Sequence, residues 1–219
     1  MPGTSEQKPR RLEFFLNYLW QLRPYSYADL VLLLIAFGAD TRSVVSSSCL
    51  WFGFLIHLEW QHNDRGRLRW PWIAWVVPWI VGGALAVNVY TLCFLTLSIL
   101  YSLKKKYKIL TWLSCFINGG IKASLVATLP GAIIAGVAIV FVVMTLRNLV
   151  GDVRDAAKDS AEGIQSLPVV FGYKKSTHLI YPCSLALTST LWTVLGDLPW
   201  WALAVALLVE VSTYGRTPR

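Results

Sequence analysis

The sequence has few charged residues and few of the side chains that build zinc or disulfide centres. Charged residues make up 15% of the 219 residues, whereas a soluble domain usually carries about 25%. The four cysteines stand singly in apolar segments and the three histidines share no motif spacing, which excludes a cysteine–histidine metal motif and predicts packing roles for the cysteines. No internal repeat, low-complexity segment or nucleic-acid-binding pattern is present. We therefore expect no nucleic-acid partner.

Apolar residues, by contrast, are abundant: they make up 55% of the chain, and the mean hydropathy is +0.52. They form seven runs, several of which approach the roughly 20 residues that a membrane-spanning helix needs. The runs cover residues 30–37, 44–58, 72–100, 109–126, 133–150, 179–195 and 198–211. This pattern predicts an all-α, multi-pass transmembrane helical bundle of about seven or eight short spans, with a single domain over residues 26–219.

The first 25 residues differ from the rest. A polar leader is followed by an amphipathic stretch at 14–20, which ends at Arg23-Pro24. Such a segment is typical of an interfacial helix and not of a cleavable signal peptide. We expect residues 1–25 to form a cytoplasmic leader and an interfacial helix.

Basic residues cluster between the apolar runs and indicate the topology. The clusters lie at 8–23, 65–69, 104–108, 147–175 and 216–219, and all of them should face the cytoplasm. An even number of crossings must then separate neighbouring clusters. The 29 residues of run 72–100 therefore predict two short helices, with a turn at Pro78 or at Gly82-Gly83, and eight crossings in total.

The most informative segment is 147–159, where three carboxylates follow an apolar run. Asp152, Asp155 and Asp159 fall within roughly 60° of one another on a helix, and Asn148 lies on the same face one turn earlier. Crowded like charges destabilise a helix, and a cation would relieve the repulsion. Oxygen ligands suit Mg²⁺, which usually lies between carboxylates and phosphates. The spacing is equally compatible with a solvated helix face just outside the membrane.

A second polar cluster ends the run at 44–58. Glu59 and Asn63 are i, i+4 partners on one helical face, and Asp64 follows. If 72–100 forms two helices, this cluster and the acids at 152–159 lie on the same side of the membrane. By itself, the cluster is equally typical of an ordinary helix end.

The segment 151–172 closely resembles the second aspartate-rich motif of the UbiA-type intramembrane prenyltransferases. Its acids have the DxxDxxxD spacing and lead through Gly163 to Leu167-Pro168-Val169 and a final Gly172. Supporting matches are Arg23-Pro24, Leu100-Tyr101-Ser102 and Asn118. The resemblance implies a helical bundle with a central cavity that opens laterally to lipid, and the transfer of an isoprenyl group from a prenyl diphosphate to an aromatic or other lipophilic acceptor with Mg²⁺.

The resemblance also implies roles for residues that match the motifs. Asp152, Asp155 and Asp159 match the catalytic metal ligands. Asn63 and Asp64 match the start of the first motif, NDxxDxxxD, as a substrate-binding and a metal-binding residue. This chain has Arg67 and Pro71 where the later aspartates belong. Glu59 is then a candidate replacement metal ligand, and Arg67 is a candidate ligand of the diphosphate.

Further residues are candidates for binding the diphosphate or the substrate. Lys122 lies within an apolar run, four residues after Asn118, and an ionisable residue in a span is a functional candidate; it could equally snorkel to the interface. Lys104 belongs to the basic run that follows Tyr101. This run indicates the topology, and Lys104 is also a candidate for reaching the phosphates. Asn148 shares the face of the acids, and Arg147 lies on another face, where lipid headgroups are its expected partners.

Three functions are compatible with this sequence. The first is the Mg²⁺-dependent prenyl transfer that the resemblance implies. The second is a diverged, non-catalytic protein that binds an isoprenoid or a partner membrane protein, which the altered first motif favours. The third is a CDP-alcohol phosphotransferase, because Gly151, Asp155 and Asp159 mimic the end of that family's signature; the Asp-Gly and Ala-Arg that should precede them are absent, and 138–146 is apolar.

Overall fold

A computed structural model describes residues 24–61, 70–108, 110–172, 182–184, 186–187 and 199–214. These residues form helices and the turns between them, with no strand among them. The helices are α1 (Pro24–Ala36), α2 (Thr41–Gln61), α3 (Ile73–Leu85), α4 (Val89–Tyr107), a 3₁₀ turn (Thr111–Leu113), α5 (Ser114–Val126), α6 (Ile134–Ala161), α7 (Leu167–Val170) and α8 (Trp200–Tyr214). The prediction of an all-helical fold is confirmed for this part of the chain.

The long helices form a closed ring. α1 packs on α2, α2 on α4, α4 on α5, α5 on α6, α6 on α8, and α8 returns to α1. α3 packs against α2 from outside this ring. Large apolar side chains such as Leu33, Leu50, Phe54 and Ile121 fill the interior and are at most 2% exposed. In the part of the chain that the structure describes, side chains from six helices therefore meet inside this ring.

The outer surface of the helical bundle is apolar as well. Ile80, Leu92, Phe116 and Phe141 are exposed on four different helices. Several polar side chains, including His57 and Ser98, are buried inside. Within the described residues, Ile134–Ala161 is the one helix that is long and apolar enough to cross a membrane, and three shorter apolar helices cover Ser26–Ala36, Ile73–Leu85 and Val89–Lys104.

Run 72–100 forms two helices, as predicted, but the turn lies elsewhere. The helices separate at residues 86–88, whereas Pro78, Gly82 and Gly83 all lie inside α3. The position of the turn follows from Asn88, whose side chain accepts a hydrogen bond from the Thr91 backbone N–H and caps the N-terminus of α4. Gly82 instead allows close packing of α3 on α2.

Two other predictions concern residues outside those described. The leader and interfacial helix at 1–25 lie almost entirely before residue 24, and most of the apolar run 179–195 is likewise outside the described ranges. The single domain over 26–219 and the number of spans stay predictions.

Candidate functional site

The three carboxylates lie at the C-terminal end of α6, on the part of this helix that continues past its apolar residues. We call Asp152, Asp155 and Asp159 the acid stripe. Asp159 is buried, and the other two are half-buried. The stripe therefore faces the protein and is not a fully solvated helix surface.

Asp152 contacts the neighbouring helix α5. The Ser114 hydroxyl, at the first position of α5, donates a 2.6 Å hydrogen bond to Asp152 Oδ2. A bond of this length to a carboxylate is typical of a charge-assisted hydrogen bond. It fixes the orientation of the carboxyl group and turns it towards the α5–α6 interface. Ser114 was not predicted as a site residue, although it lies four residues before Asn118 and hence on the same helical face.

Asp155 is held by the residue before it. Arg154 donates to both carboxylate oxygens, with Nε 2.7 Å from Oδ1 and Nη2 2.8 Å from Oδ2. Both side chains are largely buried, with 15% and 18% exposed. In this conformation the guanidinium occupies the oxygens that the sequence assigns to a metal ion.

The helix carrying the acid stripe ends in a defined C-cap. Gly163 has a φ of +69°, its N–H donates to the Ser160 carbonyl, and the Ile164 N–H donates to the Asp159 carbonyl. This pair of bonds is a Schellman motif, which favours glycine at the left-handed position. The Schellman motif therefore explains why the segment 151–172 has a glycine at position 163. Lys108 and Thr111 then bind the carbonyls of Glu162 and Gln165, anchoring the following loop.

Asn148, one turn before the stripe, contacts α4. Its Oδ1 accepts a 3.2 Å hydrogen bond from the Tyr101 hydroxyl. Its Nδ2 is buried and has no hydrogen-bond partner among the described residues. The Lys104 ammonium lies 3.8 Å from the centroid of the Tyr101 ring, and Lys104 is also buried. Tyr101 thus joins two predicted substrate-binding residues. Tyr101 lies three residues before Lys104 and therefore on the same helical face, and this spacing could have identified Tyr101 as a site residue.

The remaining predicted residues are more widely spread. Asn118 is half-buried one turn after Ser114. Glu59 is buried near the end of α2, at 6% exposure. Lys122 is buried deeper in the ring, at 3% exposure, and does not snorkel. Asn63, Asp64 and Arg67 lie outside the described residues, so the first motif stays a prediction.

The metal-binding capacity of the acid stripe is limited by helix geometry. Asp152 and Asp159 are separated by about 10 Å along the helix axis, whereas Asp152 and Asp155 are separated by only about 4.5 Å. Among the described residues, no three Asp, Glu, His or Cys side chains are grouped closely enough to hold a metal ion. Mg²⁺ in proteins often uses one or two carboxylates plus phosphate oxygens. Asp152 offers one such carboxylate, and Asp155 would offer a second if Arg154 released its oxygens.

Comparison with known proteins supports the fold. No family model and no curated protein matches this sequence. A solved structure of a UbiA homolog from Archaeoglobus fulgidus bound to Cd²⁺ is similar over 90% of this chain and 85% of that chain, with a TM-score of 0.58 and 18% sequence identity. The fold is UbiA-like. The resemblance inferred from the segment 151–172 is therefore confirmed at the level of the fold.

Proposed function

We propose that this protein is a prenyltransferase that works within a membrane. It moves an isoprenyl group from a prenyl diphosphate to an aromatic or other lipophilic acceptor, with Mg²⁺ bound at the acid stripe on the cytoplasmic face. The observation that carries the proposal is the hydrogen bond from Ser114 to Asp152, which turns the stripe towards α5 in a UbiA-like ring. The apolar exterior of the ring, together with the polar side chains such as His57 and Ser98 that are buried inside it, supports its location in a bilayer.

A divalent cation is supported by two independent features. The UbiA homolog of similar fold was solved with Cd²⁺, and Asp152 and Asp155 provide the all-oxygen ligands that Mg²⁺ prefers. When bound, Mg²⁺ would neutralise the diphosphate and make it a better leaving group. Asp155 would hold the cation only after releasing Arg154, whose guanidinium would then be free to bind a phosphate oxygen.

Residues next to the stripe suit an anionic headgroup. Asn148 Nδ2 is a donor without a partner in the described structure, and the Lys104 ammonium lies over the Tyr101 ring, 3.8 Å from its centroid. A diphosphate that reached both groups would satisfy the amide and pair with the ammonium. Buried polar groups of this kind are costly unless they are paired, so ligand binding would stabilise both.

The adjacent aromatic side chains suit the reacting carbon. During transfer, the bond from the allylic carbon to the diphosphate oxygen breaks with its electron pair leaving on oxygen. The acceptor atom then bonds to that carbon and loses its proton. Tyr101 and Phe54, whose ring centroids lie 5.9 Å apart, provide faces that stabilise the cationic carbon. The surrounding apolar packing excludes water, which would capture it.

A second function follows from the Arg154–Asp155 pair. If this bidentate pair persists in the presence of the ligand, Asp155 cannot bind a metal ion, and the protein is a diverged isoprenoid-binding or partner-binding member with this fold. The presence of Arg67 and Pro71 at positions where the first motif would have aspartates agrees with this alternative. The CDP-alcohol phosphotransferase alternative gains no support from the fold.

The two functions are distinguished by the binding of geranyl diphosphate to the purified protein with and without Mg²⁺. We expect Mg²⁺-dependent binding that is lost in Asp152→Asn. The matched control is Glu162→Gln, which also removes a negative charge near the end of α6 but affects an exposed residue paired with Lys158. Binding that does not depend on Mg²⁺, or that survives Asp152→Asn, would contradict the enzyme and favour the diverged binding protein.

A further inference from the structure

Several buried polar side chains of the ring find their partners on neighbouring helices. Arg147 of α6 pairs with Asp29 of α1, so its partner is a buried carboxylate and not the lipid headgroups that the sequence predicted. Lys122 of α5 donates a 3.4 Å hydrogen bond to the Ser26 carbonyl of α1, and its Nζ lies 3.5 Å from the centroid of the Trp51 ring. These contacts join α1 to the rest of the ring, and they do not involve α4.

His57 of α2, by contrast, is a buried polar side chain that contacts α4. It is 3% exposed and lies four residues before the end of α2. Its Nδ1 lies 3.0 Å from the Ser102 hydroxyl oxygen, and Ser102 is fully buried. One turn earlier on α2, Phe54 contacts the ring of Tyr101. Helix α2 therefore holds α4 at two adjacent residues, once through an apolar contact and once through a hydrogen bond.

The proton positions at this contact follow from the Ser102 hydroxyl. Its oxygen lies 2.8 Å from the Ser98 carbonyl oxygen, and two oxygens at that distance need a proton between them. The hydroxyl has one proton and donates it to Ser98, so its oxygen accepts a hydrogen bond from His57 Nδ1–H. The amide nitrogen of Gln61, a donor, lies 3.4 Å from His57 Nε2. The imidazole is therefore neutral, with the proton on Nδ1 and an acceptor at Nε2.

Three indole rings hold the imidazole in this orientation. The ring centroids of Trp75 and Trp79 of α3 lie 4.7 Å and 5.0 Å from that of His57, and Trp60 stacks on it at 6.1 Å. Packed side chains of this size resist displacement, so the imidazole cannot turn away from α4 without moving α3. His57 thus presents a donor at a fixed position.

The position of Ser102 determines where Tyr101 points. Adjacent residues of a helix differ by about 100° in direction and about 1.5 Å along the axis, so a helix fixed at Ser102 also fixes Tyr101. The Tyr101 hydroxyl donates a 3.2 Å hydrogen bond to Asn148 Oδ1 of α6, and the Lys104 ammonium lies over its ring. The apolar contact with Phe54 is non-directional and tolerates a small rotation of α4, whereas a hydrogen bond weakens steeply as its angle changes.

We propose that His57 is a positioning residue of the diphosphate site. Through Ser102 it fixes α4, so that Tyr101 holds the Asn148 amide in the orientation that leaves Nδ2 for the diphosphate. This inference rests on the proposed function, in which Asn148 and Lys104 bind the diphosphate. In this assignment His57 touches neither the diphosphate nor the metal ion, and it acts only through α4.

The test compares His57→Asn with His57→Gln. The asparagine amide nitrogen is bonded to Cγ, as Nδ1 is in histidine, and can still donate to Ser102, whereas the glutamine nitrogen lies one bond further from the main chain. We measure the dissociation constant of geranyl diphosphate with Mg²⁺ on the purified full chain. It should stay within about threefold of the wild-type value in His57→Asn and rise about tenfold or more in His57→Gln. Ser102→Ala, which removes the acceptor from α4, should match His57→Gln and replaces it if that variant does not fold.

Two further measurements separate positioning from stability. Ser46→Ala removes another buried hydroxyl of α2, whose 2.8 Å hydrogen bond goes to the Gly82 carbonyl of α3. This control should unfold more easily and leave the dissociation constant unchanged. In Tyr101→Phe, which lacks the hydroxyl that binds Asn148, adding His57→Gln should cause no further loss of affinity, because His57 acts through that hydroxyl.

Three results would overturn the positioning role and leave the proposed function in place. The first is an equal loss of affinity in His57→Asn and His57→Gln, and the second is an unchanged affinity in Ser102→Ala and His57→Gln. The third is a full additional loss when His57→Gln is added to Tyr101→Phe. Absence of Mg²⁺-dependent binding in the wild type would overturn the proposed function together with the inference.

Discussion

The Ser114 hydroxyl donates a 2.6 Å hydrogen bond to Asp152 Oδ2 and so joins the first residue of α5 to the acid stripe of α6. Both residues lie where the loop before α5 meets the polar end of α6. The bond fixes the orientation of the carboxylate before any ligand binds. Carboxylates that are already oriented lose less conformational entropy when they bind a metal ion or a substrate.

Removal of this hydroxyl should weaken metal binding. Ser114→Ala leaves Asp152 charged but removes the donor that orients it, and such supporting contacts are typically worth about 10–100-fold in metal affinity. We expect a loss of Mg²⁺ affinity in this range, measured by calorimetry in the presence of geranyl diphosphate. Ser160→Ala, at an exposed position of the same helix, is the control. An unchanged affinity in Ser114→Ala would remove Asp152 from the list of metal ligands.

The Arg154–Asp155 pair should compete with the cation. Arg154→Gln frees both oxygens of Asp155, so its affinity for Mg²⁺ alone should rise. The matched control is Lys158→Gln, which removes the same charge from the same helix but breaks the 3.7 Å pair with Glu162. Titration of both variants with Mg²⁺ separates the local effect from the change in net charge. If both affinities rise equally, competition at Asp155 is not the cause.

Close packing of α3 on α2 should make Gly82 intolerant of a side chain. A Cβ atom at Gly82 would lie 2.8 Å from Leu50 Cγ and 2.8 Å from the Ser46 carbonyl oxygen. Gly82→Ala should therefore cost roughly 1–3 kcal/mol of unfolding free energy through overpacking. The adjacent Gly83→Ala meets only Thr91 Cγ2 at 4.0 Å, and should stabilise the helix by roughly 0.5–1 kcal/mol.

Reversible unfolding in detergent measures both variants. Destabilisation of Gly82→Ala together with stabilisation of Gly83→Ala is the expected result. Equal effects at the two positions would mean that α3 does not pack on α2 through Gly82. The two variants also test whether Gly82 and Gly83 lie inside α3 and not in a turn. A substitution by alanine stabilises an open helical position but not a turn that requires glycine.

The N-terminus of α2 should be sensitive to acid. The Ser43 hydroxyl, followed by the Ser43 backbone N–H, holds the pKa of Asp40 below its ordinary value. A carboxyl group with a lowered pKa in the folded state stabilises the fold above its ordinary pKa, and this contribution is lost as the pH falls through the folded-state value. The stability difference between wild type and Asp40→Asn should therefore shrink below about pH 4. A stability difference that is constant from pH 7 to pH 3 would contradict the stabilising hydrogen bonds from Ser43 to Asp40.

Several features were predictable because they depend on local sequence. Helical periodicity alone placed Asp152, Asp155 and Asp159 on one face. The basic clusters on either side of run 72–100 required an even number of crossings and hence two helices. The position of the turn was missed because two glycines are a weaker signal than the Asn88 cap, which acts through one side-chain hydrogen bond to the Thr91 N–H. The residues of the first motif, Asn63, Asp64 and Arg67, are outside the described residues and stay predictions.

What the sequence by itself determined is the set of helices and the angular arrangement of side chains on each of them, since 3.6 residues per turn fix the relative directions within one helix. What only the tertiary structure decided is which helix faces meet. Nothing in the sequence pairs Asp29 with Arg147 or places Lys122 over Trp51, because those contacts depend on how α1, α2, α5 and α6 close into a ring. The acid stripe is a local property of α6, and the contacts among Asp29, Arg147, Lys122 and Trp51 are a property of the assembled bundle.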